Sequence, residues 1–377
     1  MKKINIYCFL YLPDTQNEIL GFSKNLEFYN LPVFVNFTNY QLGIINYLNF
    51  RNVKQIAIFL HEDQRNLAVQ TKDFHKYEQI QYEYIYDIED KNNLLELLNN
   101  SINRIQIDNS EKNYILVAPV FYKGFLDLGS VDYSHVIYKC DYEKGQDSLY
   151  LVEMNYFKRV LKSLKTIDNF SQFALMFSKV KYEELNPLFF SYPFNSLKGY
   201  LYAHFKLLDK EGLELRKLIS YIGSFFHHLP QTLIEEKGYV KNSIIGYNCE
   251  IKGEIEDSVI FNNVHCHPSS KIINSIILPG NVIGKGAYIK NAVIGYQNNP
   301  NKMVTIGNNC EIGKSFGKSY ENSRYKEILP DGYSLIGNEI NLPSGFKVGK
   351  NCVIQGNVNY TELKKMNSLI DGGTIES

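Results

Sequence analysis

Residues 274–295 read NSIILPGNVIGKGAYIKNAVIG. Isoleucine stands at Ile277, Ile283 and Ile289, and glycine, proline, asparagine and lysine crowd the gaps. A beat of six is neither the 3.6 of an amphipathic helix nor the unbroken alternation of one long strand. Short strands joined by turns fit it: each unit forms one flank of a triangular coil, its branched side chain points inward, and a small residue lets the chain bend. This predicts the hexapeptide repeat of a parallel β-helix.

The same beat runs from Ile245 to Ile251, from Ile306 to Ile312, and through Ile336, Leu342, Val348 and Ile354. It slips between Gly253 and Val259 and again across Gln297 to Val304, and it is absent from Lys314 to Gly332, which reads as a surface excursion from one coil. An antiparallel sandwich with regular turns is the competing reading. The four in-register units near the C-terminus argue against it.

A chain of 377 residues has room for two domains, each with its own core. Forty basic side chains balance forty acidic ones, so no global field favours nucleic acid or an anionic membrane as a partner. Six cysteines without paired spacings read as reduced thiols in a cytoplasmic protein. The start, MKKINIYCFLYLPDTQ, lacks a small-residue cleavage site and reads as a buried first strand, Ile4 to Leu12, rather than a signal peptide. No segment approaches the roughly 20 apolar residues of a bilayer span.

Upstream of the repeats, apolar runs alternate with helical patterns. Strands are expected at Ile4 to Leu12, Gln55 to Leu60, Tyr114 to Val120 and His135 to Cys140, and a strand leading into a helix at Val152 to Leu164. Helices are expected at Leu42 to Phe50, Asn92 to Asn99, Leu197 to Leu208 and Leu213 to Ser224. The tyrosine-rich run QIQYEYIYDIED, Gln79 to Asp90, alternates as a half-buried edge strand does. This rhythm predicts an α/β sheet with parallel pairs, whose ligands would sit beyond the carboxyl ends of its strands. The division is 1–226 for the α/β domain, 227–240 for a connector and 241–377 for the β-helix.

The run from Asn242 to Gly295, with its two "NS" steps at Asn242 and Asn274 each followed by an apolar pair, resembles the C-terminal domain of bacterial glucose-1-phosphate adenylyltransferases almost unit by unit. More loosely, LPVFVNF (Leu31 to Phe37), NVKQIAIFL (Asn52 to Leu60), VEMNYFKRVLKSL (Val152 to Leu164) and NSLKGYLYAHFKLLDKE (Asn195 to Glu211) resemble segments of that family's nucleotidyltransferase domain. The resemblance implies a Rossmann-like, mixed-sheet nucleotidyltransferase domain followed by a left-handed β-helix. It also implies adenylyl transfer from ATP to a sugar phosphate, which brings two polyanions together and calls for cations, Mg²⁺ and carboxylates to hold the metal.

The matching positions depart from that pattern. After the first strand the family has a glycine-rich loop carrying arginine; Pro13 to Asn30 here holds one glycine, Gly21, no arginine, and Lys24 as its only cation. Where the family carries its first metal aspartate, this chain reads ILVAPVFYKG, placing Ala118 and Pro119, which cannot ligate Mg²⁺. Where the second is expected, FNSLKGY places Asn195 and Ser196, wording similar to the regulatory D-type subunit. The resemblance therefore implies a regulatory, non-catalytic subunit of glycogen biosynthesis with no cofactor of its own. Its degenerate cleft would involve Lys24, Pro32, Asn195 and Ser196, its partner would be a catalytic adenylyltransferase subunit, and a sugar phosphate or nucleotide would be its effector. Two alternatives remain. An active enzyme would hold Mg²⁺ through relocated ligands among Asp127, Asp132 and Asp141. A silent assembly module would use its β-helix to build oligomers.

Other residues carry chemistry with a plain structural counterpart. His265, Cys266 and His267 are metal-ligand types, or a general base as in hexapeptide acyltransferases, or a surface turn of the β-helix. His227 and His228 in the connector, with Lys198, Lys206, Lys210 and Lys217, could bind a phosphorylated effector or form a solvated face.

Overall fold

The computed structural model of the chain describes residues 4–11, 32–33, 37–38, 41, 52–60, 64–70, 80–86, 91–105, 107, 110–119, 131–140, 148–167, 169–185, 196–209, 230–316 and 320–377. They fall in two compact units, Met1–Thr15 with Tyr40–Ser191 and Gln16–Asn39 with Tyr192–Ser377. The expected helices at 42–50 and 213–224 lie outside the described residues.

The first unit runs β1 (Ile4–Tyr11), β2 (Val53–Phe59), α1 (Arg65–Gln70), β3 (Gln81–Ile85), α2 (Lys91–Arg104), β4 (Lys112–Pro119), β5 (Ile137–Cys140), β6 (Leu149–Glu153), α3 (Met154–Ser163), α4 (Phe170–Leu175) and β7 (Glu183–Glu184). These strands form one mixed sheet in the order β3-β2-β1-β4-β6-β5-β7. β1 lies parallel to β2 and β4, and β6 runs antiparallel between β4 and β5. The tyrosine-rich run supplies the edge strand β3. Central β1 is buried from Asn5 to Tyr11, because a strand covered on both faces reads as a continuous apolar run. On one face, Phe9 meets Phe59 and Phe157 at ring distances of 5.4 and 5.9 Å. Helix α3 buries Met154, Phe157 and Leu161, the spacing of a helix face packed on a sheet.

In the second unit, three parallel ladders stack as the faces of a prism. The first face holds strands 233–234, 250–251, 265–266 and 282–283, extended by bridges from Ile283 to Ile306 and Leu342. Seven strands from 239–241 to 368–369 form the second face, and seven from 244–245 to 374–376 form the third. Ile277, Ile283 and Ile289 fall on successive faces of one coil and point into a single core with Ile251, Ile272, Ile312, Ile336, Val348 and Ile354. The hexapeptide β-helix is therefore present, and its beat of six is one side of the prism.

The slip between Gly253 and Val259 has a physical cause. Between the second and third faces the chain turns on one left-handed residue: Asn242, Asp257, Asn274 and Asn291 have φ of 42, 48, 46 and 48°. Asparagine and aspartate tolerate that region better than other side chains. The corner shortens the step, so five residues separate Ile255 from Ile260, Ile272 from Ile277 and Ile289 from Ile294. The stacked corners are also tied from coil to coil. Asn242 Nδ2 donates to Asp257 Oδ1 at 2.7 Å and Asn274 Nδ2 to Asn291 Oδ1 at 2.8 Å. The hydroxyls of Ser243, Ser258 and Ser275 accept from the amides of Ser258, Ser275 and Ala292 at 3.0–3.1 Å.

The segment between Ile312 and Ser334 leaves the prism, as the missing beat predicts, and is pinned to the last coils. The Asp371 carboxylate accepts from the Ser315 hydroxyl at 2.6 Å and the Phe316 amide at 3.1 Å. Asn322 donates to the Asn351 carbonyl at 3.0 Å.

The third face is apolar on both sides. Its inward residues fill the core, while its outward column of Val259, Ile276, Val293, Leu335 and Val353 is at most 1% exposed. Helix α5 (Leu197–Lys206), from the same unit, lies there: the His204 ring is 5.5 Å from Phe261 and the Phe205 ring 6.3 Å from Tyr333. The outward column of the second face is wet instead, with Glu254 and Lys347 exposed and Lys271 and Tyr288 half-buried.

Replacing Ile276 by alanine, although it points out of the prism, should lower the unfolding free energy in denaturant titration by about 2–5 kcal/mol, the range for emptying a core site. Tyr288→Ala on the wet face should cost about 1 kcal/mol or less.

His204 is fully buried, its Nδ1 donates to the Tyr200 carbonyl at 2.7 Å, and burial pushes its pKa down to about 4. Because the fold favours the neutral ring, this contribution is complete above the unfolded value near 6.5 and is lost as pH falls toward 4. Between pH 7 and 4.5 the wild-type chain should lose about 2–3 kcal/mol more stability than His204→Gln, as read from denaturant midpoints at the two pH values.

Candidate functional site

In a sheet of this topology the chemistry is expected beyond the carboxyl ends of β1, β2 and β4. There β1 ends at Tyr11 and β4 at Pro119, paired side by side, with Ala118 opposite Leu10. Tyr11 is 2% exposed and stacks on Phe170 at 4.6 Å, and Phe59 of β2 lies 4.9 Å from the same ring. Ala118 is wholly buried. Neither Ala118 nor Pro119 has a side-chain oxygen, so these residues do not fit the Mg²⁺ that the family pattern implies at the end of this strand.

Asp132, one of the relocated carboxylates of the active alternative, sits at the other end of the sheet. It precedes β5, and the Tyr114 hydroxyl and Lys112 ammonium at the start of β4 both donate to the Tyr133 carbonyl beside it. The eight residues of β4, at about 3.3 Å each, separate it from the carboxyl ends. Its oxygens are also taken. The Ser134 hydroxyl and amide donate to it at 2.6 and 3.0 Å and the Tyr138 hydroxyl at 2.8 Å, holding its pKa down at about 2.

Ser134 Oγ lies 3.0 Å from His135 Nδ1, and His135 Nε2 lies 3.8 Å from Glu183, an order reminiscent of a nucleophile with its base. The single Ser134 proton is given to Asp132, however, so Nδ1 can only donate to Oγ. The cluster is a turn lock. Beside it, a polar cavity of about 330 Å³ is lined by Glu111, Asn113, Tyr114, His135 and Glu153, again at the amino end of β4.

The remaining site residues are dispersed. Lys24, Asn195, Asp127 and Asp141 lie outside the described residues, as do His227, His228, Lys210 and Lys217. Pro32 is in a short antiparallel pairing of Pro32–Val33 with Phe37–Thr38. Ser196 caps α5, its hydroxyl accepting from the Gly199 amide at 3.1 Å. Lys198 is exposed, and Lys206 pairs with Asp209 at 3.5 Å.

The His265 to His267 triplet is not the plain surface turn that is its structural counterpart. Cys266 points into the core, while His265 is 9% exposed and sets Nδ1 3.3 Å from Glu250. Among the described residues no three histidine, cysteine, aspartate or glutamate side chains are gathered to hold a metal ion. Glu250 lies fifteen positions before His265, one coil away in parallel register. That pairing was open to sequence reading once the coil length around it had been counted.

A family model described as GlmU-like, C-terminal hexapeptide, matches residues 229–323. A glucose-1-phosphate adenylyltransferase of Acetivibrio thermocellus is 29% identical over 152 residues, 39% of this chain and 34% of the relative. Those of Bacillus thuringiensis (strain Al Hakam) and Bacillus mycoides are each 33% identical over 103 residues, 25% of this chain and 27% of theirs. The matches thus span about a third of these relatives or less. No helix among the described residues is long and apolar enough to cross a membrane. Over the matched portions, the chain is similar in sequence to glucose-1-phosphate adenylyltransferases and, at residues 229–323, to the GlmU-like C-terminal hexapeptide family.

Proposed function

We propose that this chain is a regulatory, non-catalytic homologue of glucose-1-phosphate adenylyltransferase, which assembles in the cytoplasm with a catalytic subunit and tunes glycogen synthesis. The observation that carries the reading is the carboxyl end of β4, where a retained parallel sheet ends in buried Ala118 and in Pro119 instead of a carboxylate. Adenylyl transfer would have to neutralise phosphate charge at that end, and an alanine methyl and a proline ring offer neither a charge nor a ligand. The loop after β1, with Lys24 as its lone cation, supports the reading from sequence. What remains is a scaffold able to present a β-helix and a helix-covered face to another subunit.

Purified alone and supplied with ATP, glucose 1-phosphate and Mg²⁺, the chain should release no pyrophosphate above the uncatalysed background in a coupled assay; sustained turnover would overturn the proposal. In the native cell, mass measurement of the intact assembly should find a second kind of subunit, one that is active in the same assay. An assembly built of this chain alone would favour the silent-module reading instead.

A further inference from the structure

The second face of the β-helix is a sheet of seven strands, and its outward side chains are wet. Strand pairing stacks Glu254, Lys271, Tyr288, Glu311 and Lys347 in one outward column, with one further strand beyond each end. At about 4.8 Å per strand the seven strands span about 29 Å, and Tyr288 stands on the middle one. The charges are antisymmetric about it. Toward the first coil the column reads lysine and then glutamate; toward the last coil it reads glutamate and then lysine. Turned end for end, the column presents a lysine to each of its own glutamates.

Pairing within the chain leaves two of these charges over. Lys271 meets Glu254 at 2.7 Å, and Lys314 meets Glu311 at 3.1 Å. Strand 254–256 carries a second outward carboxylate, Glu256, which forms no ion pair among the described residues. Lys347 likewise forms none there and has only the Phe316 ring beside it, at 5.6 Å. The relief of the face is antisymmetric as well. On the side of the last coils the excursion sets its foot, Lys314 to Phe316, on the sheet: Lys314 lies 4.5 Å over the Tyr288 ring, and Asp371 pins Ser315 and Phe316. On the side of the first coil Tyr239, Lys241 and Glu254 are exposed.

A surface that fits this face must carry the same charges in reverse order and offer open sheet to the raised foot. The face itself, turned end for end, meets both conditions. We propose that the second face docks a second copy of this chain, the two prisms antiparallel about a two-fold axis through Tyr288. Lys347 of one protomer then meets Glu254 and Glu256 of the other, Lys271 meets Glu311, and the foot lies against the strand of Ile273. Such an interface is isologous, so each of these contacts is made twice. Lys290, exposed beside Tyr288, meets its own copy at the axis and opposes the contact. With so small a face, the pairing belongs to the weak, transient class. It lies within the second unit and holds whether or not the first unit is catalytic, so its test requires no turnover.

Sedimentation velocity of the full chain at about 100 μM and low salt should show a monomer–dimer equilibrium. Raising the salt to about 0.5 M should shift it toward monomer. Lys347→Glu, an exposed change, should weaken the dimer about tenfold, and adding Glu256→Lys to it should restore the dimer, a recovery that a loosened fold would not show. Tyr288→Cys should give a disulfide-linked dimer on mild oxidation with copper phenanthroline, because the axis sets that residue beside its own copy; the six native cysteines are buried. Lys347→Cys, about 19 Å from its own copy, should not cross-link. A chain monomeric at that concentration, a dimer untouched by Lys347→Glu, no recovery in the double variant, or a cross-link from Lys347→Cys in place of Tyr288→Cys would each overturn the proposal. So would an intact dimer from which Lys347→Glu releases a different kind of subunit, since the face would then belong to that partner.

Discussion

A chain that coils as flat strands must turn sharply after every few residues, and each turn needs a backbone that ordinary side chains resist. Here that constraint is met at the same place in four successive coils, by Asn242, Asp257, Asn274 and Asn291 at positive φ. The serine that follows three of them accepts, through its hydroxyl oxygen, from an amide of the next coil. Coil spacing, strand register and the inward aim of every core isoleucine depend on these corners. A parallel ladder two residues wide has too few hydrogen bonds of its own to fix register, so the corners supply the rest. The "NS" wording that resembles the adenylyltransferase family is this corner seen in sequence.

Because the corners fix register, they also decide which side chains face outward. On the second face these are lysine, glutamate and tyrosine; on the third they are valine, isoleucine and leucine. Helix α5 can therefore lie on only one of those two faces, and it brings His204 and Phe205 to it. The buried histidine there is held neutral by its surroundings, a packing role that its residue type does not advertise.

In the first unit an aromatic cluster about Phe9, Phe157, Phe173 and Phe177 packs helix α3 and its neighbours on the sheet. Asp132, at the end of the sheet where β4 begins, is occupied by Ser134 and Tyr138 as a turn anchor. Scaffold and chemistry are separable in folds of this kind.

Sequence by itself determined the prism and its core, since a beat of six requires short strands and corners with one branched side chain inward per side. It also determined the alternation of strands and helices upstream, and that Ala118 and Pro119 offer no side-chain oxygen, because residue identity alone states that. Only the tertiary structure decided where Asp132 lies relative to the strand ends and that the Ser134 proton is committed. Each of those depends on which residues distant in sequence become neighbours, and on the direction of a single proton between them. Periodicity carries information about faces, but none about such pairings.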